Sequence, residues 1–137
     1  YDHILGYTVF NDVTARKIQV KDIISKLPWF RSKSFDTFGP IGPRIVDHLE
    51  IKDPHNLKIE LNLNGEIKQS SNTKHLLFKI PELLENISQF FTMEPGDIVA
   101  TGTPSGIGPI KPGDTIEASI EKIGTLTNKV ILEEKVS

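Results

Sequence analysis

The chain has 137 residues, 37% hydrophobic and 25% charged, with a formal net charge of −2 and no cysteine. That length is one domain, without a separate linker or second unit. The balanced charge leaves no basic footprint for nucleic acid or an anionic membrane. The missing cysteine excludes disulfides, thiolate metal sites and thiol nucleophiles. No apolar run approaches the roughly 18 residues that span a bilayer. The composition fits a cytoplasmic protein, and the chain runs from Tyr1 towards a strand within a few residues, so a truncation on the N-terminal side is expected.

In chain order, Ile4–Val13 reads as a strand, rich in aromatic and β-branched residues. The segment from Thr14 to Leu27 follows at helical spacing, with Ala15, Ile18, Ile23, Ile24 and Leu27 as its apolar positions. Asp12 or Thr14 is the expected cap, and Pro28 the stop. "WFRSKSFDTFGPIGP", Trp29–Pro43, carries two Gly-Pro pairs and reads as irregular backbone with room for a cis peptide. Leu57–Leu63 alternates apolar and polar residues, Asn64-Gly65 supplies a two-residue turn, and Glu66–Ser70 returns as the second arm of a hairpin.

Pro81–Phe91 predicts an amphipathic helix with Leu83, Leu84, Ile87, Phe90 and Phe91 on one face and Pro81 at its first turn. "EPGDIVATG" and "KPGDTIEASI" repeat a Pro-Gly turn, an aspartate and a strand-like run, and predict two successive strands of one sheet. Leu126–Leu132 predicts the last strand. Strands outnumber helices and do not alternate with them, which gives an α+β class, mainly β and mostly antiparallel.

Three stretches hold candidate chemistry. Asp12, Arg16 and Gln19 fall at i, i+4 and i+7, so on a continuing helix their side chains converge. The carboxylate suits a hard cation, and the guanidinium and amide suit an anionic or carbonyl-rich substrate. The bland alternative is a capped helix with a surface ion pair. Lys33 stands among Trp29, Phe30, Phe35 and Phe38, and a lysine in apolar surroundings can serve proton transfer; otherwise it is a solvated loop residue. In "ATGTPSGIGP", Gly102, Gly106 and Gly108 let backbone N–H groups approach an anion beside Thr103, or make a tight strand connection. The loop lacks both phosphate-binding glycine signatures. His3, His48, His55 and His75 show no ligand spacing.

The ordered set "YTVFNDVTAR..Q", "WFRSKSFDTFGPIGP" and "GDIVATGTPSGIGP" resembles the fumarylacetoacetate hydrolase family, and the resemblance extends through "DPHNLKIELNLNGEIKQ" and "LLFKIPELLENISQ". It is nearest to the C-terminal catalytic domain of the 2-hydroxyhepta-2,4-diene-1,7-dioate isomerase and acylpyruvase-like members. The resemblance implies a mixed β-roll or sandwich with a few short helices, a single catalytic domain over residues 1–137, and a homodimer. It implies Mg²⁺ or Mn²⁺, with Ca²⁺ a third candidate, and small keto-acid or 1,3-dicarbonyl substrates of aromatic or keto-acid catabolism. By resemblance, Asp12 matches the family's metal-binding aspartate and Lys33 its active-site lysine. Arg16, Gln19 and Thr103 match substrate-side positions.

Two departures stand out. Lys17 occupies a position that is Asp in many relatives, with little effect expected. The family's two further metal-binding glutamates, in a Glu-x-Glu pattern, lie upstream of the segment matching Tyr1 and are not in this sequence. The alternative to an enzyme is therefore a catalytically inert β-rich binding or assembly module.

Overall fold

The computed structural model describes residues 1–133. Among these residues, six strands, two α-helices and two 3-10 turns make a mainly β architecture. β1 (Gly6–Phe10) and β2 (Ile41–Asp47) pair antiparallel, with Tyr7 opposite Val46 and Phe10 opposite Ile41. A second antiparallel sheet has the order β4-β3-β5-β6, from β3 (Lys58–Leu63), β4 (Glu66–Asn72), β5 (Thr115–Ile120) and β6 (Gly124–Lys129). The core lies between the two sheets. Val9 and Val46 come from the first, Leu57, Ala118 and Leu126 from the second or its flank, and Ile51 and Ile123 from connecting turns. The expected α+β, mainly β fold is borne out.

The hairpin forms as its alternation predicts. Asn64 and Gly65 both take positive φ, +53° and +83°, which a two-residue turn matched to strand twist requires. Asp114 ties this turn to the second Pro-Gly turn. It is buried, and its carboxylate accepts from Asn64 Nδ2 (2.9 Å) and the Lys111 N–H (2.8 Å). These bonds, that from Asn64 foremost, hold the carboxyl below the usual carboxylate range.

The repeated Pro-Gly-Asp pattern makes the same turn twice but a strand only once. Asp97 accepts from the Glu94 N–H at 2.8 Å, as Asp114 does from Lys111. Residues 98–101 nevertheless form no strand, whereas Thr115 enters β5. The second copy is zipped into a sheet: the Gly113 N–H donates to the Val130 carbonyl (2.8 Å) and the Val130 N–H to the Asp114 carbonyl (2.9 Å). The first copy has no such ladder among the described residues.

The helices correct the sequence reading in detail. α1 covers Arg16–Ile24 and buries Gln19 and Asp22. Its apolar residues Ile23 and Ile24, and Leu27 beyond its end, are exposed, so the inward face is polar. Ala15 stands at the N-cap, with no side-chain cap from Asp12 or Thr14. α2 covers Ile80–Ser88 with Pro81 in its first turn. The Glu82 carboxylate accepts the Lys79 N–H at 2.7 Å, which satisfies one of the donors left free at a helix start. Leu83, Leu84 and Ile87 are partly covered, while Phe90 and Phe91 lie beyond the helix and exposed. The Gly42–Pro43 bond is cis.

Candidate active site

β1 ends at Phe10, and the Asn11 N–H bonds to the Pro40 carbonyl (3.0 Å), the last rung before the strands part. The chain then releases Asp12 just ahead of α1. Lys33 is the last residue of the 3-10 turn Phe30–Lys33. Its ammonium donates to Asp12 Oδ2 and, at 3.2 Å, to Thr14 Oγ1. Thr14 in turn donates to the Asp12 carbonyl at 3.1 Å. A carboxylate, a hydroxyl and an ammonium thus meet where β1 turns into α1. The Lys33 and Asp12 side chains are 29% and 38% exposed, open enough to face a ligand and covered enough to be held.

The expected convergence of Asp12, Arg16 and Gln19 on one helical face is not what forms. The helix begins only at Arg16, so Asp12 lies off it. Arg16 Nη1 donates to Gln19 Oε1 one turn on, and Asp12 turns to Lys33. The aromatic neighbours do not sheathe Lys33 either. Trp29, Phe30 and Phe35 are largely exposed, and polar partners hold the amine.

Thr103 is positioned separately. Buried Gln69, on β4, donates from Nε2 to Thr103 Oγ1 (3.2 Å) and to the Pro104 carbonyl (2.7 Å). With its oxygen accepting from the amide, the Thr103 hydroxyl keeps its own proton for another acceptor. Gly106, at φ +105°, lies so close to β4 that a Cβ would sit 2.0 Å from the Lys68 carbonyl oxygen. The glycine therefore serves backbone contact with a strand, where the sequence pointed to anion approach. No hydrogen bond links this loop to the Asp12–Lys33 pair among the described residues.

Sequence reasoning missed Gln69 and a second ion pair, between buried Asp22 and the more exposed Arg31. Asp22 is 0% exposed and accepts from Arg31 Nε (2.7 Å) and Nη2 (2.6 Å). The bidentate contact holds its carboxyl below the usual range. An Arg inside the "RSK" motif was the available signal, but no spacing rule pairs it with a residue across Pro28.

A hard divalent ion wants oxygen donors, commonly one or two carboxylates completed by substrate and water. Asp12 fits as one such donor. Among the described residues, no group of three His, Cys, Asp or Glu side chains is arranged to hold a metal.

The class is therefore a mainly antiparallel α+β protein, with a carboxylate–lysine pair at the end of its first strand. Residues 1–131 match the family described as Fumarylacetoacetate (FAA) hydrolase C-terminal, and the chain belongs to that family. It is 53% identical over 136 residues to an uncharacterized protein of Pyrococcus abyssi, covering 99% of this chain and 60% of the relative. It is 44% identical over 137 residues to the oxaloacetate tautomerase YisK of Bacillus subtilis, covering 95% and 44%. The chain thus spans about half the length of the curated relatives it matches.

Among solved structures, 2-hydroxyhepta-2,4-diene-1,7-dioate isomerase from Mycobacterium marinum superposes with a TM-score of 0.89 at 45% identity, over 98% of this chain and 50% of that one. Fumarylpyruvate hydrolase from Pseudomonas aeruginosa, in complex with Mn²⁺ and pyruvate, superposes with 0.91 at 35% identity, over 96% and 56%. The likeness to the isomerase members is borne out.

Proposed function

We propose that the chain carries the catalytic lysine, one metal-ligand carboxylate and the substrate wall of an enzyme acting on a 2-keto acid or 1,3-dicarbonyl compound. The reaction is hydrolytic C–C cleavage, keto–enol isomerisation or decarboxylation, all reached through an enolate. The observation that carries this reading is the contact of Lys33 with Asp12 and Thr14. It is supported by relatives that are an oxaloacetate tautomerase and a hydrolase solved with Mn²⁺ and pyruvate.

Asp12 would help hold Mg²⁺ or Mn²⁺, with Ca²⁺ a third candidate. When bound, such an ion polarises a keto carbonyl and lowers the cost of forming the enolate. Lys33, held beside Asp12, donates a hydrogen bond or passes a proton at the developing oxyanion. Arg16 takes a substrate carboxylate through its planar fork, Gln19 buttresses that guanidinium, and the Thr103 hydroxyl donates to a second oxygen. We place the activity in aromatic or keto-acid catabolism, in a cytoplasmic homodimer.

The test is turnover of oxaloacetate and an acylpyruvate with Mg²⁺. Lys33→Ala should lose about 100-fold or more in kcat, the scale of a positioned acid–base group; unchanged turnover removes Lys33 from the mechanism. The lack of a three-residue ligand cluster among the described residues favours a second reading, an inert β-rich module. Titration calorimetry with oxalate separates the two. Binding that requires Mg²⁺ supports the enzyme, and no Mg²⁺-dependent heat supports the module.

A further inference from the structure

We propose that Asp22 is a positioning residue: paired with Arg31, it clamps the Phe30–Lys33 turn to α1 and so sets where the Lys33 amine meets Asp12. The inference rests on the reading of Lys33 as the catalytic lysine.

Two ties join these segments, one at each end of α1. Near its start, the Ala15 N–H donates to the Ser32 carbonyl at 2.9 Å. Ser32 is 0% exposed, and its hydroxyl donates to the Trp29 carbonyl at 2.7 Å, closing the turn on itself. Near the far end, both oxygens of buried Asp22 grip the Arg31 fork, and the Asp22 carbonyl accepts the Leu27 N–H at 2.9 Å, where the helix is giving way to Pro28.

Arg31, Ser32 and Lys33 are consecutive. Residues 31 and 32 are thus pinned to α1 and its entry, and the direction of the next side chain follows. Among the described residues, the Asp22 side chain hydrogen-bonds to Arg31 and to none of the proposed substrate or metal groups, so it acts through this turn. A bidentate pair fixes angle as well as distance. A buried carboxylate without its partner is strongly disfavoured, so the turn has no comparably stable place to move.

The experiment uses Asp22→Asn, Arg31→Lys and Lys33→Ala in the full chain, with melting curves to confirm folding. Asp22→Asn keeps the shape and loses the charge. It should lower kcat at least 10-fold with KM within about threefold, and Arg31→Lys, which keeps the charge and loses the fork, should lower kcat by less. Adding Asp22→Asn to Lys33→Ala should cost nothing further, because both act through one amine. Independently of turnover, the NMR cross-peak between the Lys33 side chain and the Thr14 methyl should vanish in Asp22→Asn while the remaining spectrum persists.

A folded Asp22→Asn with wild-type kcat and an intact cross-peak overturns the proposal, as does a loss that adds fully to that of Lys33→Ala. If Asp22→Asn does not fold, Arg31→Lys decides: a weakened cross-peak supports the clamp and an unchanged one refutes it. Should Lys33→Ala itself be harmless, the catalytic reading fails, while the cross-peak still reports whether Asp22 positions the lysine.

Discussion

His55 lies in the turn before β3, and its Nε2 accepts the N–H of Ile80, the first residue of α2, at 3.0 Å. Only a neutral ring can accept there. Burial, and then the charge of Lys79, push the His55 pKa down. The folded chain therefore resists protonation more than the unfolded one. The resulting stabilisation is fully present above the ordinary histidine value of about 6.5 and is lost as pH falls from there through the folded-state value. Melting curves of wild type and His55→Ala should differ most near pH 8, and the gap should close as pH drops below about 6. From spacing alone the histidines say nothing, because this partner lies 25 residues away. Asp12 and Lys33 were legible only through matched motifs. Their contact spans 21 residues, with the whole of α1 between them, which no periodicity encodes.

Among the elements, the hairpin was the most legible, since strict alternation and Asn-Gly act within a few residues. α1 was misread at its face. Val20, Ile23 and Ile24 remain exposed while Gln19 and Asp22 turn inward, an inversion that holds because Arg16 and Arg31 satisfy them. One feature of β4 was invisible beforehand. Its pairing with β3 shifts between Leu61 and Asn62, so that Leu61 faces Gln69 and Asn62 faces Ile67, leaving Lys68 as a bulge. The Thr103 loop docks there, with Gly106 on the Lys68 carbonyl and the Gln69 amide on Thr103 and Pro104. Gly106→Ala combines a positive φ with a backbone clash and should destabilise by about 2 kcal/mol or more in urea titration. Gln69→Ala should raise KM about 2- to 10-fold, the worth of one net hydrogen bond, with kcat less affected.

At the scale of the whole molecule, one core joins the two sheets, and Leu57 sits in it at 2% exposure. Leu57→Ala should cost about 2–5 kcal/mol in chemical denaturation. Outside that core, Leu77, Phe78, Phe90, Phe91 and Ile98 lie open to solvent, more apolar surface than an isolated small domain usually shows. We expect self-association, read as a dimer mass in light scattering; a monomer at all concentrations would refute the homodimer. No described helix is long and apolar enough to cross a membrane.

The bulge at Lys68 also constrains how such a protein can diverge. Losing the bulged residue would restore a regular ladder and take away the carbonyl against which Gly106 is seated. Lengthening the tip at Asn64-Gly65 would leave that contact alone. Insertions accumulated over evolution should therefore collect at the tip, and any lineage that alters the spacing at Lys68 must rebuild the Thr103 loop along with it.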